Sequence, residues 1–550
     1  MRVLRGVLLI ATLLVIAQDS LLCRAQVSER TRIPTGRFRI AGKAVSASTG
    51  SPLARAHVTI SDTRNRSATQ SVLTSEEGAF EFFVNAGKYS LQASKRGFMP
   101  TAYEQHDPQF STAIVTGAGL DTESLTLRVV PSATLSGVVL DEAGEPIRHA
   151  NVTLFRENFW GGFGRIRQMR QDESDDRGGF EFGPINAGTY FVMASAKPWY
   201  AVHPASTKAG DPPTVVDPSV DVVYAPTYYG DTTASDDATP IPVRGGDRIQ
   251  TEIHLTPVQA LRVVFRTPTD GSGFNMPMLM QRAFDGSAPV QNEGIREVSP
   301  GLAEMVGVPP GRYSIQMAGS GAGEAVTSEE VDLTSSGEEL RTSGSQAASS
   351  VKITAQLMGG GALPPQLQIG LRTAKGRFAG FTATTEKGEA EFHDVHPGTY
   401  EVLATTETKR YFVAEMNSPG DKSTGHSLVL EPGSSSAVTI SLVGGEVTIE
   451  GVATRASKPV PGAMIVLIPK DPEQHHELFR RDQSDLDGTF TLREVIPGTY
   501  TVIAIEDGWD LEWASPAVVE HYSHNALTVV VKEQSSGTMR LPDSVAVQTK

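Results

Sequence analysis

Cysteine is nearly absent from this chain. The 550 residues include one cysteine, Cys23. It lies so close to the start of the sequence that a chain cut after Ala25 would have none. Because no disulfide framework is then available, each folded unit has to be held together by its own packed apolar core.

Long apolar runs are scarce as well. The run near the start of the chain, Gly6–Ala17, is twelve residues long, whereas a membrane-spanning helix needs ~20. Arg2 and Arg5 precede this run and small residues follow it, which is the order of a secretory signal peptide. We therefore predict a signal peptide over residues 1–25, no transmembrane segment after its cleavage, and an exported protein that is periplasmic, cell-surface or secreted.

Two other outcomes stay open at this end of the sequence. The apolar run could be retained as an anchor instead of being cleaved. Cys23 could carry a lipid, as in bacterial lipoproteins, although Leu22 stands where such a signal prefers a small residue. A cleaved signal peptide is the favoured interpretation.

Basic residues are outnumbered by acidic ones. The chain has 48 Lys and Arg against 63 Asp and Glu, a formal net charge of −15 at pH 7. Removing residues 1–25 takes away three arginines and Asp19, which leaves 45 basic and 62 acidic residues and a net charge of −17. An acidic surface repels nucleic acid and anionic membranes, so neither is an expected partner.

The motifs of common enzymes are missing. Neither H-x-x-E nor H-E-x-x-H occurs, and no nucleophile elbow, phosphate loop or dinucleotide fingerprint stands in a convincing context. "QHHELF" (474–479) has adjacent histidines, whose side chains would point to opposite faces of a strand, and His393 and His396 flank a turn. The sequence therefore predicts a protein that is not an enzyme, with no catalytic residue, no metal and no cofactor.

One loop has acidic residues spaced loosely like a calcium site. It reads "DQSDLDG" (482–488) and lacks the later bidentate Glu that completes such a loop. Asp-Gly is also the pair expected in a hairpin turn. A turn is the favoured interpretation, and calcium binding stays open.

What the chain does contain is a short pattern that occurs five times. The copies are "VNAGKYSLQA" (84–93), "INAGTYFVMA" (185–194), "VPPGRYSIQM" (308–317), "VHPGTYEVLA" (395–404) and "VIPGTYTVIA" (495–504). Each joins a glycine turn to a strand whose alternation indicates one buried face. We interpret the shared glycine and tyrosine as a structural corner. Its residues are Gly87, Tyr89, Gly188, Tyr190, Gly311, Tyr313, Gly398, Tyr400, Gly498 and Tyr500.

A tight turn and a short strand precede each corner, as in "DRGGFEF" (176–182). The turn glycine lies nine residues before the corner glycine in the first copy and ten residues before it in the other four. Such a constant spacing fits a strand of fixed length between two turns, so we predict an all-β chain of antiparallel meanders.

Repeats of this length can each close a separate domain, so we expect modules rather than a continuous solenoid. The predicted order is a signal peptide (1–25), module 1 (37–130), module 2 with an aromatic and basic insertion and a Pro/Asp-rich extension (131–258), a degenerate module 3 (259–335), a Ser/Gly-rich linker (336–350), module 4 (351–443), module 5 (444–534) and a flexible tail (535–550).

The better copies are similar to a known family. "LSGVVLDEAGEPIRHANVTL" (135–154), followed by the turn and corner of the same copy, resembles the carboxypeptidase regulatory-like domain. That resemblance implies tandem β-sandwiches of about seven strands, transthyretin-like (prealbumin-like or Ig-like), arranged as beads on a string in exported bacterial proteins. Starch-binding-like carbohydrate modules have a similar sandwich. The resemblance does not extend to any peptidase motif.

Aromatic side chains in the loops that differ between copies are the candidates for ligand binding. The segment "FRENFWGGFGRIRQMRQ" (155–171), called the finger below, is aromatic and basic in an otherwise acidic chain. Aromatic faces could stack on sugar rings and arginines could pair with carboxylates; a hairpin whose aromatics fold onto the sandwich is the alternative. The candidates are Phe159, Trp160, Phe163, Arg165, Arg167, Arg170, Trp199, Tyr200, Trp509 and Trp513.

Together these features predict a non-catalytic, exported, multi-module binding or scaffold protein of the bacterial cell envelope. Its partners would be carbohydrate or cell-envelope protein, bound through the variable loops. The alternatives are a purely structural spacer or interaction protein and a carboxypeptidase-related hydrolase component.

Overall fold

Nearly all of the regular secondary structure in the described chain is β-strand. The computed structural model describes residues 38–117, 119–203, 216–266, 277–290, 295–299, 302–317, 327–334, 338–341, 349–373, 378–395, 397–407, 409–418, 427–445, 447–473, 475–524, 526–532 and 537–550. The predicted signal peptide and Cys23 lie outside these residues. Within them, the chain forms strands, short 3-10 turns and one α-helix.

Module 1 folds into two facing sheets. Its strands are β1 (Phe38–Ser46), β2 (His57–Asp62), β3 (Thr69–Leu73), β4 (Ala79–Val84), β5 (Lys88–Ser94), β6 (Thr101–Ala102), β7 (Ile114–Val115) and β8 (Leu125–Val129). One sheet has the order β4-β1-β8, and in the other β2 lies between β3 and β5. Burial alternates along β5, so Tyr89, Leu91 and Ala93 point into the space between the sheets.

Module 2 repeats this arrangement and adds the finger. Its strands are β9 (Ala133–Leu140), β10 (Asn151–Asn158), β11 (Arg165–Glu173), β12 (Gly179–Ile185), β13 (Gly188–Ser195), β14 (Val222–Tyr224), β15 (Thr227–Tyr228), β16 (Ile241–Val243) and β17 (Arg248–His254). The finger is the β10–β11 hairpin, closed by a 3-10 turn at Trp160–Gly162. A further 3-10 turn lies at Ser235–Asp237.

Module 3 follows without a break, since its first short strand pairs back with β14 of module 2. The strands are β18 (Pro257–Gln259), β19 (Leu261–Arg266), β20 (Pro277–Ala283), β21 (Gly286–Pro289), β22 (Ile295–Ser299), β23 (Leu302–Val308), β24 (Gly311–Met317), β25 (Thr327–Leu333) and β26 (Glu338–Arg341). Apart from β18, these strands form two four-stranded sheets around Val263, Phe265 and Ile315.

Modules 4 and 5 each join their two sheets through one bridging strand, β32 and β43 respectively. The strands of module 4 are β27 (Ser349–Leu357), β28 (Gln368–Thr373), β29 (Phe378–Ala383), β30 (Glu389–Val395), β31 (Gly398–Thr405), β32 (Arg410–Asn417), β33 (Ser427–Leu430) and β34 (Ser435–Gly444). Those of module 5 are β35 (Val447–Arg455), β36 (Lys458–Pro459), β37 (Met464–Pro469), β38 (Arg480–Gln483), β39 (Thr489–Val495), β40 (Gly498–Glu506), β41 (Leu527–Val531), β42 (Gly537–Arg540) and β43 (Val545–Thr549). Module 5 also has 3-10 turns at His476–Leu478 and Gly508–Asp510 and the helix α1 (Pro516–Ser523).

One topology recurs in all five modules. The first long strand pairs antiparallel with the strand after the tight turn and parallel with the last strand, as β1 does with β4 and β8. The second strand pairs antiparallel with the corner strand, as β2 does with β5. The same pairings hold for β9, β19, β27 and β35 and for β10, β20, β28 and β37. The chain is therefore an all-β series of tandem sandwiches.

The corner tyrosines hold the turns that precede them. In four modules the tyrosine hydroxyl donates to the carbonyl oxygen four residues earlier, and in module 4 the matching Tyr400 is buried. The donor and acceptor pairs are Tyr89 and Asn85 (3.0 Å), Tyr190 and Asn186 (2.8 Å), Tyr313 and Pro309 (2.5 Å), and Tyr500 and Ile496 (3.1 Å). The tyrosine thus satisfies a backbone acceptor of the turn while its ring fills the core.

The tight turn requires its glycine for two reasons. Gly488 has a φ of +75°, and a Cβ there would lie 2.6 Å from the carbonyl oxygen of Ala453. The two backbones lie this close because the Ala453 N–H donates to the Gly488 carbonyl over 2.7 Å. This hydrogen bond joins the turn to the first strand of the module. Any side chain would therefore combine backbone strain with a steric clash.

Two boundary predictions need correction. The segment predicted as a flexible tail, 535–550, contains β42 and β43, because Val545 and Val547 alternate inward and complete the module 5 core. The segment predicted as a linker, 336–350, includes β26, which pairs parallel with β19 as the last strand of module 3, and the start of β27. Residues 342–348 lie outside the described part of the chain.

Candidate functional site

Modules 1 and 5 contact each other although they stand at opposite ends of the chain. The loop after β38 lies against module 1 and presents the carboxylate of Asp485. Lys88 Nζ lies 2.7 Å from Asp485 Oδ2 and 2.6 Å from Thr489 Oγ1, and the Ala113 N–H donates to Asp485 Oδ1 over 3.0 Å. Asp485 belongs to the loop considered for calcium, so this carboxylate is occupied by a contact between modules.

A buried amide lies at the centre of the same interface. Gln483, 2% exposed, donates through Nε2 to the Glu104 carbonyl (2.6 Å) and to Thr112 Oγ1 (2.8 Å). Beside it, the Leu486 N–H donates to the Ala113 carbonyl over 3.0 Å. Buried polar groups are costly unless they are paired, so these bonds indicate surfaces matched to each other.

Arg481 is enclosed by aromatic rings and a carboxylate from both modules. Its guanidinium carbon lies 4.6 Å from the ring centroid of Phe110, 5.3 Å from that of Trp509 and 5.1 Å from that of Trp513. Nη2 lies 3.0 Å from Oδ2 of Asp107. Burial lowers the pKa of Arg481 and Asp107 opposes that shift; an arginine stays charged in either case. The arrangement combines cation–π contacts with an ion pair.

Of the two tryptophans predicted to bind a ligand in module 5, Trp509 lies directly in this interface and Trp513 borders it through Arg481. The Trp509 ring stacks on His106 of module 1, with centroids 5.3 Å apart and planes within 6°, and its Nε1 donates to the Gly462 carbonyl over 3.0 Å. Trp513 is 7% exposed and packs edge-on against Phe479. Neither ring presents an open face of the kind a sugar would need.

The finger of module 2 also docks on module 5. Phe163 stacks on His476 with centroids 4.8 Å apart, and the Gly164 N–H donates to Glu512 Oε1 over 2.9 Å. Gly162 has a φ of +86°, and a Cβ there would lie 2.3 Å from the Cβ of Ala514. The tip is thus shaped to touch module 5.

The remaining finger residues have different surroundings. Phe159 is half-buried, whereas Arg165, Arg167 and Arg170 are exposed along β11. The side chain of Trp160 lies outside the described part of the structure. The structure therefore separates Phe163, which packs on module 5, from the basic strand of the finger, which faces solvent.

Module 3 contacts the other side of the finger. Asp285 accepts a hydrogen bond from the Ile166 N–H over 2.7 Å. The adjacent Phe284, 8% exposed, packs among Phe155, Phe191 and Tyr228 of module 2 with ring centroids 4.8–5.3 Å apart. Modules 2 and 3 therefore share an aromatic cluster.

Trp199 and Tyr200 form the one candidate pair that lies open among the described residues. The Trp199 side chain is 85% exposed, and its ring meets that of Tyr200 edge to face at 5.7 Å. The hydroxyls of Tyr200 and Tyr224 donate to the two carboxylate oxygens of Glu142, over 2.5 and 2.7 Å.

The electrostatics of this pair keep Glu142 charged. Partial burial pushes its pKa up, but the two tyrosine hydrogen bonds outweigh that effect and the pKa is lowered. The pKa of Tyr200 is raised to about 12, chiefly by its hydrogen bond to Glu142 and secondly by burial. Near neutral pH the site is an aromatic face beside an ionised, oriented carboxylate.

The sequence did not single out Lys88, Asp107, Arg481 or Gln483, which lie at the centre of the module 1–5 contact. One sequence feature does point to a shared contact position. The aromatic residues Phe98, Trp199 and Trp509 each follow the corner glycine of their module by eleven residues. That equivalence identifies a shared loop position, although it does not reveal which surface covers it.

Over the described ranges, no group of three or more His, Cys, Asp or Glu side chains is arranged to hold a metal ion. In those same ranges, the helical segments are too short and too polar to cross a bilayer.

Sequence comparison identifies one module. Residues 39–120 match the family model of the carboxypeptidase regulatory-like domain. This match confirms, for module 1, the resemblance that the motifs indicate. No curated protein matches the chain.

Several solved structures have some similarity to the chain. The Bacillus anthracis TIE protein is 14% identical over 74% of this chain and 76% of that chain, with a TM-score of 0.17. A streptococcal ancillary pilin is 10% identical over 51% of this chain and 98% of its own, with a TM-score of 0.20. BcpA, the major pilin subunit of Bacillus cereus, is 10% identical over 56% of this chain and 99% of its own, with a TM-score of 0.13. Similarity this low carries no conclusion about function.

Proposed function

We propose that this chain is a non-catalytic, exported scaffold protein of the bacterial cell envelope. In it, modules 1, 2 and 5 pack into one unit that holds the remaining loops in fixed positions for a protein partner. The observation that supports this proposal best is the contact of module 1 with module 5. There the aromatic residues predicted to bind a ligand instead join one module to another.

The chemistry of that contact favours a structural role. Gln483 and Thr112 are both nearly inaccessible to water and bonded to each other, so separating the modules would expose matched polar groups. Arg481 adds aromatic stacking from both sides of the interface. An enclosed arginine of this kind can contribute about 2 kcal/mol, whereas an exposed ion pair contributes ~0–1 kcal/mol. The interface is therefore suited to hold two modules together.

Carbohydrate binding is the second candidate, and the observation in its favour is the exposed ring of Trp199. Exposed tryptophan faces stack on sugar rings. A glycan array probed with the wild type and with Trp199→Ala separates the two functions. The scaffold proposal predicts no glycan bound by either protein, whereas a glycan bound by the wild type and lost in the variant would favour carbohydrate binding.

Two further assays test the rest of the proposal. Purified protein is expected to contain no stoichiometric zinc and to release no residue from the C-terminus of peptides; a bound metal with turnover would contradict the non-catalytic role. Deletion of residues 1–25 is expected to keep the protein in the cytoplasm of a bacterial host. Export of the truncated chain would contradict the predicted signal peptide.

A further inference from the structure

The aromatic residue eleven positions after the corner glycine contacts a second module in two of the three cases. In module 5, Trp509 stacks on His106 of module 1. In module 1, the backbone of Phe98 forms an isolated β-bridge with Pro131, at the junction with module 2, while its side chain packs against the module 1 core. In module 2, Trp199 is 85% exposed and, among described rings, meets only its neighbour Tyr200. The repeat therefore places a junction residue at a position that, in module 2, no second module covers among the described residues.

The occupied example in module 5 shows what such a tryptophan holds. Trp509 lies against the guanidinium of Arg481, a residue of its own module, and the carboxylate of Asp107 from module 1 pairs with the same guanidinium. An aromatic face and a carboxylate together recognise a flat cation, because the ring attracts its face and the carboxylate accepts its N–H groups.

Module 2 has the same two elements around Trp199. Glu142 lies beside the Trp199–Tyr200 pair and is held in place by two tyrosine hydroxyls. Both of its oxygens already accept one bond each and have further lone pairs available for donors. Asp141 on the same loop adds negative charge. The surface is therefore matched to a cation with several N–H donors.

An arginine fits this surface better than a lysine or a sugar. Its guanidinium is planar, stacks on aromatic faces and presents its donors in a rigid fork, whereas an ammonium is a strongly hydrated point charge. A sugar offers hydroxyls that both donate and accept, but the fixed polar group here, an ionised carboxylate, only accepts. The charge and the stacking face together favour the guanidinium.

We propose that Trp199 and Glu142 form a docking site for an arginine side chain presented by a partner protein. The site deepens the scaffold function proposed above and rests on it: the repeat uses this loop position to join modules within the chain, and in module 2 it joins the chain to another protein. The partner is defined by its chemistry, a surface segment that carries an accessible arginine next to few acidic groups.

The test uses the chain without residues 1–25 and follows its tryptophan indole N–H resonances, each assigned by a Trp→Phe substitution. The probe is an unstructured peptide of alternating glycine and arginine; matched peptides carry lysine or the uncharged analogue citrulline. We expect the arginine peptide to shift the Trp199 resonance, the lysine peptide to bind roughly tenfold more weakly, and the citrulline peptide not to bind. Added salt should weaken the binding of the arginine peptide.

Calorimetry with variants assigns the contacts. Trp199→Ala is expected to abolish binding of the arginine peptide, and Glu142→Gln to weaken it about tenfold. Glu145→Gln, on the same loop, is the control and is expected to leave binding within about twofold of the wild type. Trp199 is exposed, so its replacement should not unfold the module.

Three results would overturn the proposal. Equal binding of the peptide by wild type and Trp199→Ala would place the contact elsewhere. A Trp199 shift caused by maltoheptaose or cellohexaose, but not by the arginine peptide, would make the site a sugar site. A Trp199 resonance that no probe shifts would leave the ring without the proposed role. Each result leaves the module 1–5 contact intact, so it is distinguishable from failure of the scaffold proposal.

Discussion

Arg481 in the fifth module forms an ion pair with Asp107 in the first, 3.0 Å apart across 374 residues of sequence. Three aromatic rings enclose the same guanidinium. The two ends of the chain are thus joined through a side chain that loses solvent when they meet. Contacts between modules this far apart limit the motion that independent beads on a string would have.

The first prediction concerns Arg481. Replacing it with alanine removes the ion pair and the stacking, and should weaken the module 1–5 contact by about 2–3 kcal/mol. The reporter is amide exchange at Leu486, whose N–H donates to the Ala113 carbonyl across the interface. Protection of that amide is expected to fall by roughly two orders of magnitude, since opening of the interface exposes it.

The matched control is Arg540→Ala. Arg540 pairs with Glu450 within module 5 at 3.2 Å, and its side chain is 84% exposed. An exposed pair contributes little, so the Leu486 amide should keep its protection. Equal loss of Leu486 amide protection in both variants would mean that Arg481 has no special role in the interface.

The second prediction concerns the tip of the finger. Gly162→Ala places a Cβ against Ala514, whereas Gly144→Ala changes a glycine of similar positive φ, +78°, whose Cβ would meet no atom within 4 Å. Both substitutions cost about 1–2 kcal/mol in backbone strain, and only the first adds a clash of about 1–3 kcal/mol. We expect amide exchange at Ala514 and Gly164 to rise in Gly162→Ala alone. A rise in both variants would attribute the effect to the backbone and not to docking.

The extent to which the sequence predicts this molecule depends on the range of the interactions. The corners, the tight turns and the tandem sandwiches follow from local spacing, because a glycine turn and an alternating strand are encoded within about ten residues. The sequence predicts ligand binding for Trp509 and Trp513 because it reveals that their loop is aromatic. It does not reveal which part of the chain packs against that loop. In the folded chain the two tryptophans are covered by residues of module 1 and by the aromatic side chains of module 5 itself.

The tail illustrates the same limit at shorter range. "SVAVQT" alternates as a strand does, yet it follows a polar stretch and was assigned as flexible. Val545 and Val547 become buried because β43 pairs parallel with β35 and with β40, which lie about ninety and forty residues earlier. Such pairing depends on the partner strand having an open edge, which no local pattern reveals.

The third prediction concerns the tyrosine corner. Tyr500→Phe removes the hydrogen bond to the Ile496 carbonyl and leaves that buried acceptor unpaired, at a cost of about 1–2 kcal/mol. Amide exchange along β40 measures the loss. Tyr229→Phe is the control, because the half-buried Tyr229 hydroxyl makes no hydrogen bond within the described residues. If β40 keeps its full protection in Tyr500→Phe, the tyrosine contributes through its ring alone.

The fourth prediction concerns pH. Burial raises the pKa of Asp482 to about 6, and the negative charge of Asp485 adds to this rise. Hydrogen bonds from the Thr491 and Gln483 N–H groups and the positive charge of Arg493 oppose the rise. A carboxyl whose pKa is raised by folding stabilises the fold most below its unfolded pKa of about 4, and this stabilisation is lost as the pH rises through about 6. Module 5 should therefore lose about 3 kcal/mol between pH 4 and pH 7 from this group.

Asp482→Asn tests whether Asp482 causes the predicted loss of stability as the pH rises. The amide oxygen can accept the same N–H bond from Thr491 without the charge, so the loss of exchange protection in β38 and β39 between pH 4 and pH 7 should become markedly smaller. The remainder comes from Asp485, whose pKa burial also raises. Asp543→Asn, at an exposed position, is expected to preserve the wild-type slope. An undiminished slope in Asp482→Asn would place the titrating group elsewhere.

The most direct test of the central claim is the distance between modules 1 and 5 in solution. Spin labels at Gln109→Cys and Lys458→Cys, both exposed positions, report that distance in a chain whose Cys23 has been removed with residues 1–25. We expect one narrow distance distribution for the otherwise wild-type chain, which broadens when Arg481→Ala is added. A broad distribution in both proteins, unchanged by the substitution, would show that the modules move as independent beads and would contradict the scaffold.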